Sequence, residues 1–139
     1  MKVLYSTSAT ATGGREGSAK SEDGLLNVTL VTPKELGGAG GNGTNPEQMF
    51  AAGYAACFLS AVKLIASQEK VTLTDPTITA EVGIGNNDKG EGFALKVDLV
   101  ADLKGVDAET ATKLVEKAHQ VCPYSNATRN NIEVSVAAK

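Results

Sequence analysis

The feature that most constrains the fold is an apolar helix near the middle of the chain. Asn45 can cap a helix, Pro46 suits its first position, and Gln48 stands three residues after Asn45, as in a capping box. The helix predicted from there runs to about Lys70 and is apolar on nearly all sides as far as Lys63. Because such a helix must be covered on several sides, we expect a sheet on one face and a second surface on another.

The segments around this helix predict hairpins and a second helix. Alternating patterns predict strands at residues 3–10, 17–22, 25–31, 77–84, 93–103 and 132–136. Asp23-Gly24 is the signal of a two-residue hairpin loop, and Asp107 can cap an amphipathic helix over residues 107–121. The order β-β-β-α-β-β-α-β predicts an α+β fold, with antiparallel sheets around a long buried helix. A length of 139 residues predicts a single domain, 1–139.

Composition argues against several classes of partner. The 13 basic and 16 acidic residues give a net charge of −3 without a basic cluster, so we expect no nucleic acid or anionic membrane as a partner. No signal-like segment and no continuous apolar run of about 18 residues is apparent, so we expect a cytoplasmic protein that does not span a membrane. Its thiols would then be kept reduced.

Two site types are considered and set aside. His119 is the only histidine, so the chain lacks the ligand pairs of a structural zinc site, and we expect His119 on the surface in the last turn of its helix. Gly38, Gly40 and Gly43 match the dinucleotide-binding spacing, but no strand runs straight into that loop. Glu47 also places a carboxylate in the first turn of the helix that follows, so we expect no nucleotide site.

The two cysteines are the remaining candidates for chemistry. Cys57 lies in the apolar helix and Cys122 at the end of the second helix, before Pro123. Two such thiols are either inert small hydrophobes or a pair in which one attacks an oxidant and the other resolves the product. A thiolate in apolar surroundings needs a cation or hydrogen-bond donors, and Cys57 is too far along its helix to use the helix dipole. The helix-terminal Cys122 can shift more easily, which suits a resolving thiol.

Arg15 and Glu47 are the candidates for activating Cys57. Arg15 stands between glycines in the segment GGREG (13–17), where it is either an exposed turn residue or the required cation. Glu47 is favoured in the first turn of its helix by the dipole, whether or not it is functional. Ten helical residues separate Glu47 from Cys57, which is about 15 Å of rise, so the two side chains cannot touch on one helix. If Glu47 serves a cysteine, it belongs to another copy of the chain or the helix is broken.

Three segments together resemble the organic hydroperoxide resistance (Ohr) proteins of the OsmC/Ohr family. They are GGREG (13–17), NPEQMFAAGYAACF (45–58) and VCPYSNA (121–127), in the family's order. The resemblance covers essentially the whole chain. The short chain and the VCPYSN segment favour the Ohr branch over the OsmC branch.

The resemblance implies a thiol peroxidase that reduces organic hydroperoxides to alcohols. By matched motif, Cys57 is the peroxidatic and Cys122 the resolving cysteine, which form a disulfide during the cycle, while Arg15 and Glu47 are the activating pair. It also implies an intertwined homodimer with interfacial sites, no metal or bound cofactor, and re-reduction by the dithiol of a lipoylated protein. An OsmC-branch peroxidase and a non-catalytic small-ligand-binding module are the alternatives.

In the mechanism that this resemblance suggests, Glu47 holds the guanidinium of Arg15, and Arg15 stabilises the Cys57 thiolate. Attack on the peroxide then leaves a sulfenic acid that Cys122 resolves. Apolar residues near the reactive sulfur would favour alkyl hydroperoxides over hydrogen peroxide, and we name Met49, Phe50 and Phe93 for this role.

Overall fold

The structure, a computed structural model, describes all 139 residues and confirms the predicted α+β class. It contains two units, Met1–Met49 and Phe50–Lys139, which are described separately below. The expectation that residues 1–139 form a single domain stays a prediction.

The first unit contains a small antiparallel sheet of β1 (Ala9–Thr12), β2 (Ser18–Ser21) and β3 (Asn27–Thr29), in that order. The strand predicted at residues 3–10 is wrong for most of its length, because β2 offers partners only to residues 9–12. The loop between β2 and β3 is also longer than predicted. The backbone N–H of Ser21 donates to the carbonyl of Leu26 across four loop residues rather than two.

Helix α1 (Pro46–Gln68) follows the glycine-rich segment and begins where the sequence predicts. The side-chain Oδ1 of Asn45 accepts a hydrogen bond from the N–H of Gln48 at 2.8 Å, which confirms the cap. The second hydrogen bond of the predicted capping box, from the N–H of Asn45 to the side chain of Gln48, is wrong. Oε1 of Gln48 accepts instead from the hydroxyl of Thr44. Glu47 therefore lies in a first helical turn that the Asn45 cap stabilises.

Helix α1 is long and apolar enough to cross a membrane by length and composition alone, contrary to the expectation that the chain holds no such stretch. Six of its side chains lie in the protein core, as they would in the central helix of a soluble protein: Tyr54, Phe58, Ala61, Val62, Ile65 and Ala66. Leu64 on the same helix is 53% exposed, so the expectation that a second surface covers the helix stays a prediction.

The second unit contains a mixed sheet of β4 (Thr77–Asn86), β5 (Phe93–Asp102) and β6 (Glu133–Ala138). β4 and β5 are antiparallel, as expected, whereas β6 lies parallel to β5, so this sheet is mixed. The reason is the connection between β5 and β6, which is a helical crossover and returns the chain to run in the same direction.

Two helices form this crossover. Helix α2 (Ala108–Val121) is capped by Asp107, as predicted, and buries Leu114, Val115 and Ala118 against the core. Helix α3 (Pro123–Thr128) was not predicted, and it follows α2 after the single residue Cys122. The junction between α2 and α3 therefore carries one of the two candidate thiols.

Candidate active site

The two cysteines meet within the second unit. The Sγ atoms of Cys57 and Cys122 lie 3.7 Å apart, although 65 positions separate the residues in the sequence. Both thiols are free; Cys57 is half-buried and Cys122 is fully buried. A disulfide bond is about 2.05 Å long, so closure requires only a short approach of the two sulfur atoms.

The backbone around Cys122 explains how its thiol reaches this position. Cys122 is extended, with φ −64° and ψ 125°, because the ring of Pro123 disfavours a helical conformation in the preceding residue. Pro123 then occupies the first position of α3, where its missing N–H costs nothing. Cys122 therefore caps both helices: its N–H donates to the Ala118 carbonyl, and its carbonyl accepts from the N–H of Asn126.

The surroundings of Cys57 disfavour its reactive form. Burial is the largest influence and raises the pKa of the thiol, and the neighbouring Cys122 thiol raises it further. The backbone N–H of Tyr124, in the first turn of α3, acts in the opposite direction. Because the pKa is raised on balance, Cys57 needs an additional positive charge to react as a thiolate at neutral pH.

Arg15 and Glu47 meet within the first unit. Nη1 of Arg15 donates to Oε2 of Glu47 at 2.8 Å, and Nη2 donates to Oε1 at 2.6 Å. This is the bidentate geometry of a guanidinium bound to a carboxylate, which fixes the plane as well as the position of the cation. Arg15 lies in a 3₁₀ turn that depends on glycine. A Cβ at Gly17 would lie 1.8 Å from the Thr12 carbonyl oxygen, and Gly13 has φ 69°.

The contact keeps both partners ionised at neutral pH. Hydrogen bonding to Arg15 lowers the pKa of the Glu47 carboxyl, against the opposing effect of burial. Hydrogen bonding to Glu47 raises the pKa of Arg15. The result is a permanently charged guanidinium held in a defined orientation, with 36% of its side chain exposed to solvent.

The structure thus brings the four predicted residues together as two pairs, Arg15 with Glu47 and Cys57 with Cys122. That both pairs act on one sulfur atom stays a prediction. Helix α1 is continuous from Pro46 to Gln68, so the ten-residue helical separation of Glu47 and Cys57 applies.

His119 lies in the last turn of α2, as predicted, but it does not lie on the surface. The side chain is half-buried, its Nδ1 lies 2.8 Å from Oγ of Ser125, and its ring centroid is 6.3 Å from that of Phe58. Burial lowers the pKa of the imidazole, and the nearby cation of Arg129 lowers it further, so the ring is neutral at pH 7. The cause is α3, which covers the last turn of α2 and was not predicted.

Sequence reasoning also missed three hydroxyl groups beside the cysteines, those of Tyr54, Ser125 and Thr128, which are buried and bonded to one another. Two signals could have indicated them. Ser125 and Thr128 are three residues apart after a proline, which places them on one face of a short helix. A tyrosine on the buried face of an apolar helix also requires a hydrogen-bond partner.

An apolar cavity adjoins these residues in the second unit. It has a volume of about 400 Å³, and its lining includes Phe50, Leu95, Tyr124, Ala127 and Ile132. Phe50 is one of the three apolar residues named from the sequence. Phe93 is 72% exposed and does not line this cavity.

Comparison with known proteins places this arrangement in a family. Residues 38–137 match the OsmC-like protein family. The chain is 57% identical over 136 residues to the organic hydroperoxide resistance protein of Xanthomonas axonopodis pv. citri (strain 306), covering 97% of this chain and 94% of that protein. It is also 53% identical to an organic hydroperoxide resistance protein from Elizabethkingia anophelis whose crystal structure superposes with a TM-score of 0.94, covering 100% and 99% of the two chains. The crystal structure of OhrB of Bacillus subtilis is 42% identical and superposes with a TM-score of 0.91, covering 99% of this chain and 100% of that chain. The chain therefore belongs to the OsmC/Ohr family, and the resemblance to its Ohr branch is confirmed.

Proposed function

We propose that this protein is a thiol peroxidase that reduces organic hydroperoxides to alcohols in the cytoplasm. The observation that carries the proposal is the contact of two free thiols at 3.7 Å, one half-buried and the other fully buried. Its relatives at up to 57% identity are named for resistance to organic hydroperoxides. A peroxide-detoxifying role is consistent with both.

The first step is attack of the Cys57 thiolate on one peroxide oxygen. The O–O bond breaks, the alkoxide takes up a proton and leaves as the alcohol, and Cys57 becomes a sulfenic acid after losing two electrons. Cys122 then gives up its proton and attacks the Cys57 sulfur. The S–O bond breaks, the oxygen leaves as water, and a disulfide forms. An external dithiol, which we expect to be that of a lipoylated protein, reduces the disulfide by exchange.

Arg15 supplies the activation that Cys57 lacks. Because burial raises the pKa of Cys57, a nearby cation is needed to stabilise the thiolate. The guanidinium of Arg15 is charged and fixed by Glu47, and its remaining donors can bind the peroxide oxygens. Since Glu47 and Cys57 are about 15 Å apart along one helix, we propose that the Arg15–Glu47 pair of one subunit serves the Cys57 of its partner.

This arrangement requires a homodimer, and exposed apolar side chains favour one. Val3, Leu4 and Tyr5 are exposed in the first unit, and Leu64 and Phe93 are exposed in the second. Apolar surface of this kind is typical of protein interfaces, and a symmetric dimer would cover it.

Counting thiols tests the proposed reaction. The reduced protein is mixed with one equivalent of cumene hydroperoxide, and free thiols and disulfide-linked peptides are then quantified. We expect the loss of two thiols per chain and an intramolecular link between Cys57 and Cys122. A small-ligand-binding module without catalysis would lose no thiols.

Two serine variants separate the roles of the cysteines. Cys57→Ser should abolish hydroperoxide consumption, because the attacking atom is gone. Cys122→Ser should consume one equivalent to form the Cys57 sulfenic acid, and further equivalents of hydroperoxide should then oxidise it to the sulfinic or sulfonic acid, which mass spectrometry detects. Ser60→Ala, an exposed change in the same helix as Cys57, serves as the control and should behave as wild type. Equal and mild effects of the two cysteine changes would contradict the division of labour.

A further inference from the structure

A buried network of side-chain hydrogen bonds lies beside the thiol pair. The hydroxyl of Tyr54 is 3.0 Å from Oγ of Ser125 and 3.1 Å from Oγ1 of Thr128. Oγ of Ser125 is also 2.8 Å from Nδ1 of His119. Tyr54 and Ser125 are completely buried, so each bond lies in a medium where an unpaired polar group is costly.

In each of the two segments, a residue of the network lies three positions from a cysteine. Tyr54 precedes Cys57 by three residues in α1, and Ser125 follows Cys122 by three residues in α3. Three helical residues correspond to about 4.5 Å of rise. The Tyr54–Ser125 hydrogen bond and the thiol contact therefore join the same two segments of the chain at neighbouring levels.

A second set of bonds secures Cys122 from the side of α2. His119 precedes Cys122 by three residues, so Cys122 is flanked by two members of the network. Arg129, which follows α3, donates from Nη2 to the His119 carbonyl at 2.6 Å and from Nη1 to Oδ1 of Asn126 at 2.6 Å. Hydrogen bonds thus join the α2–α3 junction to α1 and also join α2 to α3.

Such restraint matters for the second step of the proposed reaction. The two sulfur atoms must approach from 3.7 Å to about 2.05 Å before the sulfenic acid meets a second hydroperoxide molecule. If the α2–α3 junction moves away from α1, closure slows while over-oxidation continues at its own rate. The balance between the two outcomes depends on the position of Cys122.

We propose that Tyr54, Ser125, Thr128 and His119 are positioning residues for disulfide formation. Resting on the peroxidase function proposed above, this role concerns only the step in which Cys122 attacks the Cys57 sulfur, the S–O bond breaks, and water leaves. The network holds the Cys122 segment against α1 and takes no part in the first attack on the hydroperoxide.

The test compares Tyr54→Phe and Ser125→Ala with wild type in rapid-quench mass spectrometry over a range of cumene hydroperoxide concentrations. Tyr54→Phe loses the hydrogen bonds to Ser125 and Thr128, and Ser125→Ala loses those to Tyr54 and His119. Each change should slow disulfide closure by about fivefold or more. The hydroperoxide concentration that over-oxidises half of Cys57 should fall by the same factor, while consumption of the first equivalent keeps its rate. Ser60→Ala removes a hydroxyl group from an exposed position of α1 and should match wild type.

Two further comparisons distinguish positioning from general damage. The double variant Tyr54→Phe/Ser125→Ala should slow closure by less than the product of the two single effects, because both changes remove the Tyr54–Ser125 hydrogen bond. Thr128→Ser keeps the hydroxyl, whereas Thr128→Val keeps only the shape of the side chain. The disulfide should therefore form faster in Thr128→Ser than in Thr128→Val. Multiplying effects in the double variant, or equal closure in the two Thr128 variants, would indicate damage rather than positioning.

The outcomes for the two proposals are separable. If the wild type consumes no hydroperoxide, the peroxidase function is wrong. If the wild type forms the disulfide but Tyr54→Phe and Ser125→Ala keep its ratio of disulfide to over-oxidised Cys57, the positioning role alone is wrong.

Discussion

At the scale of single residues, Cys57 lies in surroundings that oppose its own ionisation. Burial raises its pKa, while the backbone N–H of Tyr124 offers only partial compensation. Arg15 is a cation whose orientation is already fixed by two hydrogen bonds to Glu47. A guanidinium held in this way loses little conformational freedom when it meets a thiolate, which makes it well suited to activate Cys57.

Removing the cation should therefore move the ionisation of Cys57 to higher pH. In Arg15→Ala we expect slower alkylation of Cys57 by iodoacetamide near pH 7, with the rate restored as pH rises, because the thiolate is the reacting form. Arg15→Lys keeps the positive charge but loses the planar guanidinium, so its alkylation rate should lie between those of wild type and Arg15→Ala. Lys63→Ala removes an exposed cation from α1 and is the control. A pH profile that Arg15→Ala leaves unchanged would remove Arg15 from the activation of Cys57.

At the scale of the elements, α1 carries both an activating and a reactive residue. Glu47 lies in its first turn and Cys57 in its middle, so the start of the helix fixes one end of the Arg15 contact. The Asn45 cap, in turn, satisfies an N–H of that first turn. Loss of the cap should therefore destabilise the helical turn that holds Glu47.

We expect Asn45→Ala to lower the free energy of unfolding by about 1 kcal/mol, the usual cost of losing such a cap. Asn45→Asp keeps an oxygen acceptor in the same place and should lose much less. Urea unfolding followed by circular dichroism measures both. If the alanine and aspartate variants are equally destabilised, the hydrogen bond at 2.8 Å contributes nothing to the stability of the helix.

At the scale of the whole molecule, the decisive question is which chain supplies Arg15 to a given Cys57. The continuity of α1 separates Glu47 from Cys57 within one chain by about 15 Å of helical rise. We therefore expect complementation between two inactive chains. In a mixed dimer of Arg15→Ala and Cys57→Ser subunits, the intact Arg15 would face the intact Cys57.

Random mixing should restore about a quarter of wild-type peroxidase activity, since half of the dimers are mixed and each has one working site of two. The matched control mixes Cys57→Ser with Cys122→Ser subunits. These two thiols meet within a single chain at 3.7 Å, so no restoration is expected there. Absence of complementation in the first mixture would show that Arg15 and Cys57 of one chain act together or that the dimer does not form.

Local signals predicted much of the fold. The Asn45 cap, the following proline and the apolar composition predicted α1, and Asp107 with an amphipathic pattern predicted α2, because caps and periodicity act within one helix. The parallel pairing of β6 with β5 was missed, because strand direction depends on how the crossover packs. Helix α3 was missed, since six residues are too few to carry a periodic pattern.

Residue type and local spacing were enough to predict the family, the two reactive cysteines and the cation that a buried thiol needs in order to ionise. In contrast, the packing of distant segments brings Cys122 into contact with Cys57, binds Arg15 to Glu47, and buries His119 partly beside Ser125. Each of these contacts joins side chains from different elements. Such contacts depend on how elements pack, and local sequence patterns do not encode that packing.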